Sequence, residues 1–383
     1  MKDISTRLKQ VKPSGIRKFF DLVMNSKDII SLGVGEPDFP TPWHITEQGI
    51  FHLEKGHTSY TSNLGMLELR KEISDYLKKD FSADYDPKDE IMITVGVSAG
   101  LDMTFRTLLE PGDEIIIPVP SYVCYEPLAY LAGGVPVIVD TRETNLVITA
   151  ESIEKHITSK TKALLISYPS NPTGRMISKE QLIEIIEVCK KYDIWIISDE
   201  VYGDLVYDLE PISAATYVKD RLILLNGFSK SYAMTGWRIG YVACPREVLK
   251  EMVKIQQYNV LCAPIMSQYA AIEALQNGRA EVDRMKESYK LRRNFFYESL
   301  VEIGFDVQKP EGAFYMFPNI KKFGLSAEDF SMRLLQEGRV AVVPGNAFGD
   351  MIDDHVRCCY ACSMDELKEA ISRIERFISS LVH

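Results

Sequence analysis

No apolar run in this 383-residue chain is long enough to cross a bilayer, so a membrane-spanning helix is not expected. The opening residues, Met1 to Gln10, are polar and lack the apolar stretch of a secretory leader; a cytoplasmic protein is expected. Positive charge is in deficit: 44 Lys and Arg stand against 54 Asp and Glu, for a formal charge of −10. That balance argues against a nucleic-acid footprint and against an anionic membrane surface as partner. The seven cysteines are odd in number and widely scattered, which is not a disulfide framework. Cys359 and Cys362 form a C-x-x-C, but no second pair exists to complete a zinc site. No metal centre is expected, and these thiols read as ordinary packing. Internal repeats and low-complexity tracts are also missing.

What the chain does have is an alternation of short apolar runs with helical patterns between about residues 90 and 245. Ile91–Val95, Glu114–Pro118, Val135–Val139, Ala163–Tyr168, Ile194–Ser198 and Leu222–Leu225 read as strands. Helices fall between them; Ser178 and Gln181 make a capping box for one that runs to Tyr192. Such alternation predicts an α/β domain with a mostly parallel sheet. Upstream, a helix-like stretch covers about 16–24, and a loop then leads through Gly35. Downstream, Arg284 to Glu302 reads as a long charged helix. Strands at 305–308, 313–317, 340–343 and 356–362, with helices at 326–337 and 365–381, predict a smaller α+β unit.

Candidate chemistry collects just past strand ends. Asn171 lies in a proline-stiffened loop after Tyr168, Asp199 and Tyr202 follow Ser198, and Lys230 follows Leu225. Open α/β sheets place their ligands at that edge. A desolvated lysine attacks carbonyls, and Arg238, eight residues on, suits a phosphate. Gly96 to Gly100, with Ser98, Ala99 and Gly100 among them, open a helix whose free N–H groups suit an anion. That opening lacks the Gly-Lys-Ser/Thr ending of a P-loop and contains no G-x-G-x-x-G, so neither nucleotide motif is present. Together these residues suggest an aldehyde cofactor that carries a phosphate.

The ordered set Gly35 to Phe39, Tyr60, Asn171 to Gly174, Asp199 to Tyr202, Ser229 and Lys230, Met234 to Arg238, and Arg357 resembles the class I/II aminotransferases. These are fold-type I enzymes dependent on pyridoxal 5′-phosphate. The resemblance implies a seven-stranded, mostly parallel sheet in a large cofactor-binding domain (45–285). It implies an N-terminal arm at 1–44 that joins the small domain, and a C-terminal small domain at 286–383. It implies that Lys230 forms the internal aldimine and shuttles a proton, and that Asp199 holds the pyridine nitrogen protonated. Asn171 and Tyr202 would bond the ring's phenolic oxygen, and Tyr122 would stack on the ring. Ser98, Ala99, Gly100, Ser229 and Arg238 would cup the phosphate.

On the same resemblance, Tyr60 would reach the phosphate of a neighbouring subunit, which implies a homodimer. Arg357, with Gly35 and Asn171, would bind the substrate, Arg357 gripping its carboxylate. The pattern departs at Gly227, where many relatives carry a phosphate-binding serine. The expected activity is transfer of an amino group from an L-amino acid to a 2-oxo acid such as 2-oxoglutarate, through a pyridoxamine form. A β-lyase on the same scaffold and a regulatory binding protein are the alternatives. The donor's side chain is not legible; Phe19, Tyr258, Phe314 and Phe348 are candidate pocket walls.

Overall fold

A computed structural model describes residues 28–381, together with Asp3, Ser5, Leu8, Lys9 and 11–13. The helix expected at 16–24 and the wall candidate Phe19 lie outside the described residues. The strands in chain order are β1 (Ile30–Ser31), β2 (Ile91–Thr94), β3 (Glu114–Val119), β4 (Val135–Asp140), β5 (Thr161–Ser167), β6 (Trp195–Asp199), β7 (Leu222–Gly227) and β8 (Gly240–Ala243). They continue with β9 (Tyr315–Met316), β10 (Val340–Ala341), β11 (Val343–Pro344) and β12 (Val356–Cys359). Seven of them form one sheet in the order β2-β8-β7-β6-β5-β3-β4. Strands β3 to β7 pair in parallel, and β8 runs antiparallel to both β2 and β7.

The period-two alternation of the strands explains why this sheet is buried on both faces. Leu164 and Ile166 of β5, Ile196 of β6, and Leu222 and Leu224 of β7 pack into one apolar cluster. Their neighbours Leu165, Ile197, Ile223 and Leu225 enter the cluster on the opposite face. Helices cover both faces: α1 (Trp43–Glu54), α2 (Leu67–Phe81), α3 (Gly96–Leu108), α4 (Tyr125–Ala132) and α5 (Lys179–Lys191). The capping box forms, with the Gln181 amide donating to Ser178 Oγ at 3.2 Å and the Ser178 amide donating to Gln181 Oε1 at 3.0 Å.

A second apolar cluster gathers the C-terminal elements. It includes α6 (Arg279–Glu302), α7 (Ala327–Glu337) and α8 (Met364–Leu381), around the three-stranded sheet β11-β12-β9. Strand β1 pairs in parallel with β10, which ties the chain's early segment to this unit. The strand expected at 305–308 is reduced to an isolated bridge between Asp306 and Asn319. Its register is broken because Lys309 and Pro310 follow at once, and proline cannot donate to a ladder. The long helix starts at Arg279, five residues earlier than expected. Cys359 is buried in β12, and it and Cys362 are free thiols.

Candidate active site

The C-terminal ends of β3, β5, β6 and β7 open into one cavity of about 650 Å³. The turn after β7 brings Lys230 to its floor, and the Lys230 ammonium donates to the Gly35 carbonyl at 2.7 Å. Burial pushes this lysine down to about 8 from 10.5; the nearby Arg357 and Arg238 push the same way and Glu36 opposes them. A lysine so placed yields a neutral amine far more readily than an exposed one.

Asp199 ends β6 and is 4% exposed. Tyr125 Oη donates to its Oδ2 at 2.9 Å and the Val201 amide to its Oδ1 at 3.2 Å. Burial nevertheless raises the carboxyl to about 6, against the lowering effect of those two donors and of Lys230. Both hydrogen-bond partners are neutral, so a buried anion lines the cavity with no ion pair of its own. A protonated ring nitrogen would supply the missing cation. Tyr122 lines the same wall, set edge-on to Tyr125 with ring centroids 5.6 Å apart.

The phosphate end is built from backbone. Helix α3 begins at Gly96 and has no side-chain cap, so its first amides are free. Gly96 has φ +73°, and a β-carbon there would stand 2.7 Å from Arg238 Nη2. Only glycine lets the arginine lie across the helix end. Arg238 donates from Nη1 to the Thr235 carbonyl at 3.0 Å. Val97, Ser98 and Ser229 complete this wall. The amides, serines and guanidinium fit a phosphate dianion.

Ala99 and Gly100, expected beside Ser98, are absent from the lining. Gly100 stands a full turn into the helix, where its Cα packs against Leu225 and Val242. The helix starts at Gly96, where the run of small residues begins. Gly227, the departure from the family pattern, is also explained locally: a β-carbon there would press on Gly240 Cα at 3.0 Å and the Ile239 carbonyl at 3.1 Å.

The substrate end joins the two units. Arg357 of β12 is 2% exposed and donates to Asn171 Oδ1 at 3.0 Å and to the Gly33 carbonyl at 2.6 Å. Its Nε is buried without a partner, an open valence that a carboxylate would fill. Tyr202 is buried with its hydroxyl 2.6 Å from that of Tyr315. The cavity therefore gathers Gly35, Ser98, Tyr122, Asn171, Asp199, Tyr202, Ser229, Lys230, Arg238 and Arg357. Tyr60 stands apart, 83% exposed on the surface. Of the wall candidates, Phe348 lies 4.9 Å from the Arg357 guanidinium, Phe314 is core, and Tyr258 is 92% exposed. Sequence reasoning missed Tyr125 and Tyr315. Tyr125 carried a weak signal, three residues from Tyr122 at a helix start; Tyr315 had none.

A doubly covered parallel sheet with a desolvated lysine, a buried carboxylate and an anion cradle at its C-terminal edge defines a phosphopyridoxal enzyme of fold type I. The chain belongs to the aminotransferases of class I and II, whose family profile matches residues 27–374. It is a pyridoxal-phosphate-dependent aminotransferase of amino-acid metabolism. It is 45% identical to aromatic-amino-acid aminotransferase 2 of Thermococcus litoralis, over 98% of each chain. It is 44% identical to an aspartate aminotransferase of Pyrococcus abyssi, again over 98% of each. The crystal structure of the aromatic aminotransferase from Pyrococcus horikoshii superposes with a TM-score of 0.90 at 42% identity, covering 95% of this chain and 99% of that one. The transferase expectation holds over the lyase and regulatory alternatives. Among the described residues no helix is long and apolar enough to cross a membrane.

Proposed function

We propose that the enzyme takes the amino group of an L-amino acid and delivers it to a 2-oxo acid, with 2-oxoglutarate as the expected acceptor, in a homodimer with shared sites. The observation that carries this reading is Arg357: a buried fork, held by Asn171 and Gly33, in the lining of the cavity that holds Lys230. Aspartate and aromatic amino acids are named for the relatives. What those donors and their oxo-acid products share is the α-carboxylate, the group that a bidentate arginine selects.

Bound pyridoxal phosphate supplies an aldehyde for the amino group and a ring that accepts the electron pair left at Cα. Lys230 would hold that aldehyde at rest, and its Nζ would move the proton at the substrate's Cα. Asp199 would keep the ring nitrogen protonated, and Tyr122 would pack against the ring face. Tyr202 and Asn171 would hold the ring's phenolic oxygen. Arg238, Ser98, Ser229 and the amides of Gly96 and Val97 would hold the phosphate. Arg357 orients the donor so that its Cα–H points toward Lys230.

The dimer reading draws support from the exposure of the large aromatics Trp43, Phe51, Tyr60 and Tyr258. Separate apolar clusters support a division near 45 and 285. Absorption spectra of the loaded enzyme, taken before and after single amino acids, test the function. Donors should bleach the visible band and release their 2-oxo acids, and 2-oxoglutarate should restore it. Persistence of the band with every proteinogenic amino acid would refute the reading. Sedimentation should give twice the 43.5 kDa chain mass.

A further inference from the structure

Tyr315 touches three parts of the site at once. Its hydroxyl lies 2.6 Å from that of Tyr202. Its ring lies 4.5 Å beneath the Arg357 guanidinium. Its oxygen occupies the space that a side chain at Gly35 would need, 2.5 Å from where a β-carbon would stand. Residue 315 is 1% exposed and belongs to β9, where it pairs with Cys359 of the strand that carries Arg357. The same sheet therefore fixes both the tyrosine and the arginine.

Each phenol has one proton to donate. If Tyr202 spent its proton on Tyr315, it would offer only lone pairs to the cavity. If Tyr315 donates instead, the Tyr202 proton is free to point at an anionic oxygen there. A hydroxyl that accepts a hydrogen bond is also a stronger donor. We propose that Tyr315 is a positioning residue: it donates to Tyr202, so that Tyr202 presents its proton to the cofactor's phenolic oxygen, and its ring supports Arg357 in place for the substrate carboxylate. This rests on the reading of Tyr202 given above.

The two contacts separate by substitution. Tyr315→Phe removes the hydroxyl and keeps the ring; Tyr315→Leu removes both. Three readouts decide: the pH midpoint of the visible band in loaded enzyme, the cofactor dissociation constant, and KM for the amino acid donor. Tyr202→Phe should raise the midpoint, since a lost donor destabilises the ionised oxygen. Tyr315→Phe should raise it by about half a unit to one unit, the effect of one neutral hydrogen bond. The double variant should go no further than Tyr202→Phe alone, because Tyr315 acts through Tyr202. KM should stay within about twofold in Tyr315→Phe and rise roughly tenfold in Tyr315→Leu, as the guanidinium loses its aromatic support.

An unmoved midpoint in Tyr315→Phe, beside a shifted one in Tyr202→Phe, would overturn the proposal and leave the Tyr202 reading intact. Additive shifts in the double variant would overturn it too. An unmoved midpoint in Tyr202→Phe would overturn both.

Discussion

Asp199 should cost the cofactor-free protein stability, and Asp199→Asn should recover it. The carboxyl rises from 3.8 to about 6 because it is buried beside neutral donors only. A carboxyl whose folded value is raised binds more protons folded than unfolded, so stability falls as pH climbs from about 4 to about 6, then levels. That interval corresponds to about 3 kcal/mol at pH near 7.5 and about 1 kcal/mol near 4.5. The asparagine variant keeps an oxygen to accept from Tyr125 and carries no buried charge. Urea unfolding of the two cofactor-free proteins should therefore favour the variant by roughly 1–3 kcal/mol at the higher pH, with the gap closing at the lower. Adding pyridoxal phosphate should reverse the order, since the wild type alone gains the ion pair with the ring. Turnover by the variant should fall by several orders of magnitude. Equal or lower stability of the variant at both pH values would refute the claim that this carboxylate is an uncompensated buried anion.

Lys230 is lowered to about 8, so capture of pyridoxal phosphate by the cofactor-free protein should quicken about tenfold per pH unit below that value and level above it. Stopped-flow absorbance follows this, and a rise that continues up to 10.5, the ordinary lysine value, before it levels would show an unperturbed amine. Arg357→Lys replaces a fork by a point charge and should raise KM for the amino acid roughly 100-fold with a smaller change in kcat, read from initial rates. Gly35→Ala would drive a methyl to 2.5 Å from Tyr315 Oη and should lower kcat/KM roughly 10–100-fold, with a modest fall in melting temperature.

Strands were the most legible part of the fold, and the reason is burial on both faces. Leu222 to Leu225 form an unbroken apolar run because alternate side chains serve different cores. Strand β8 was harder to see. Its residues, Gly240 to Ala243, follow a loop rich in site residues, and its antiparallel pairing with β2 and β7 joins segments some 150 and 15 positions away. The strand expected at 305–308 failed for the opposite reason. Phe305 is buried and Val307 packs against the same cluster, but Asp306 bridges only one neighbour. Alternation recorded burial there and not a ladder.

The site divides along the same line. Lys230, Asp199 and Asn171 stand at strand ends, where position in the chain already implies position on the sheet edge. Arg357 comes from a different unit, 186 residues from the Asn171 that it bonds, and resemblance alone pointed to it in the sequence. Tyr315 and Tyr125 stayed hidden because a buried tyrosine is usually core, and both look like core from outside. Their hydroxyls decide the matter: each is spent on a functional side chain, one on Tyr202 and the other on Asp199. Gly96 was legible as the opening of a helix, and resemblance drew attention to Gly35 and Gly227. Their common role is to omit a side chain where Tyr315, Arg238 and the Gly240 backbone must come close. The chemistry-bearing residues of this enzyme are thus few and polar. The groups that aim them are apolar or absent in the sequence pattern, which is why the second set emerges only from contacts.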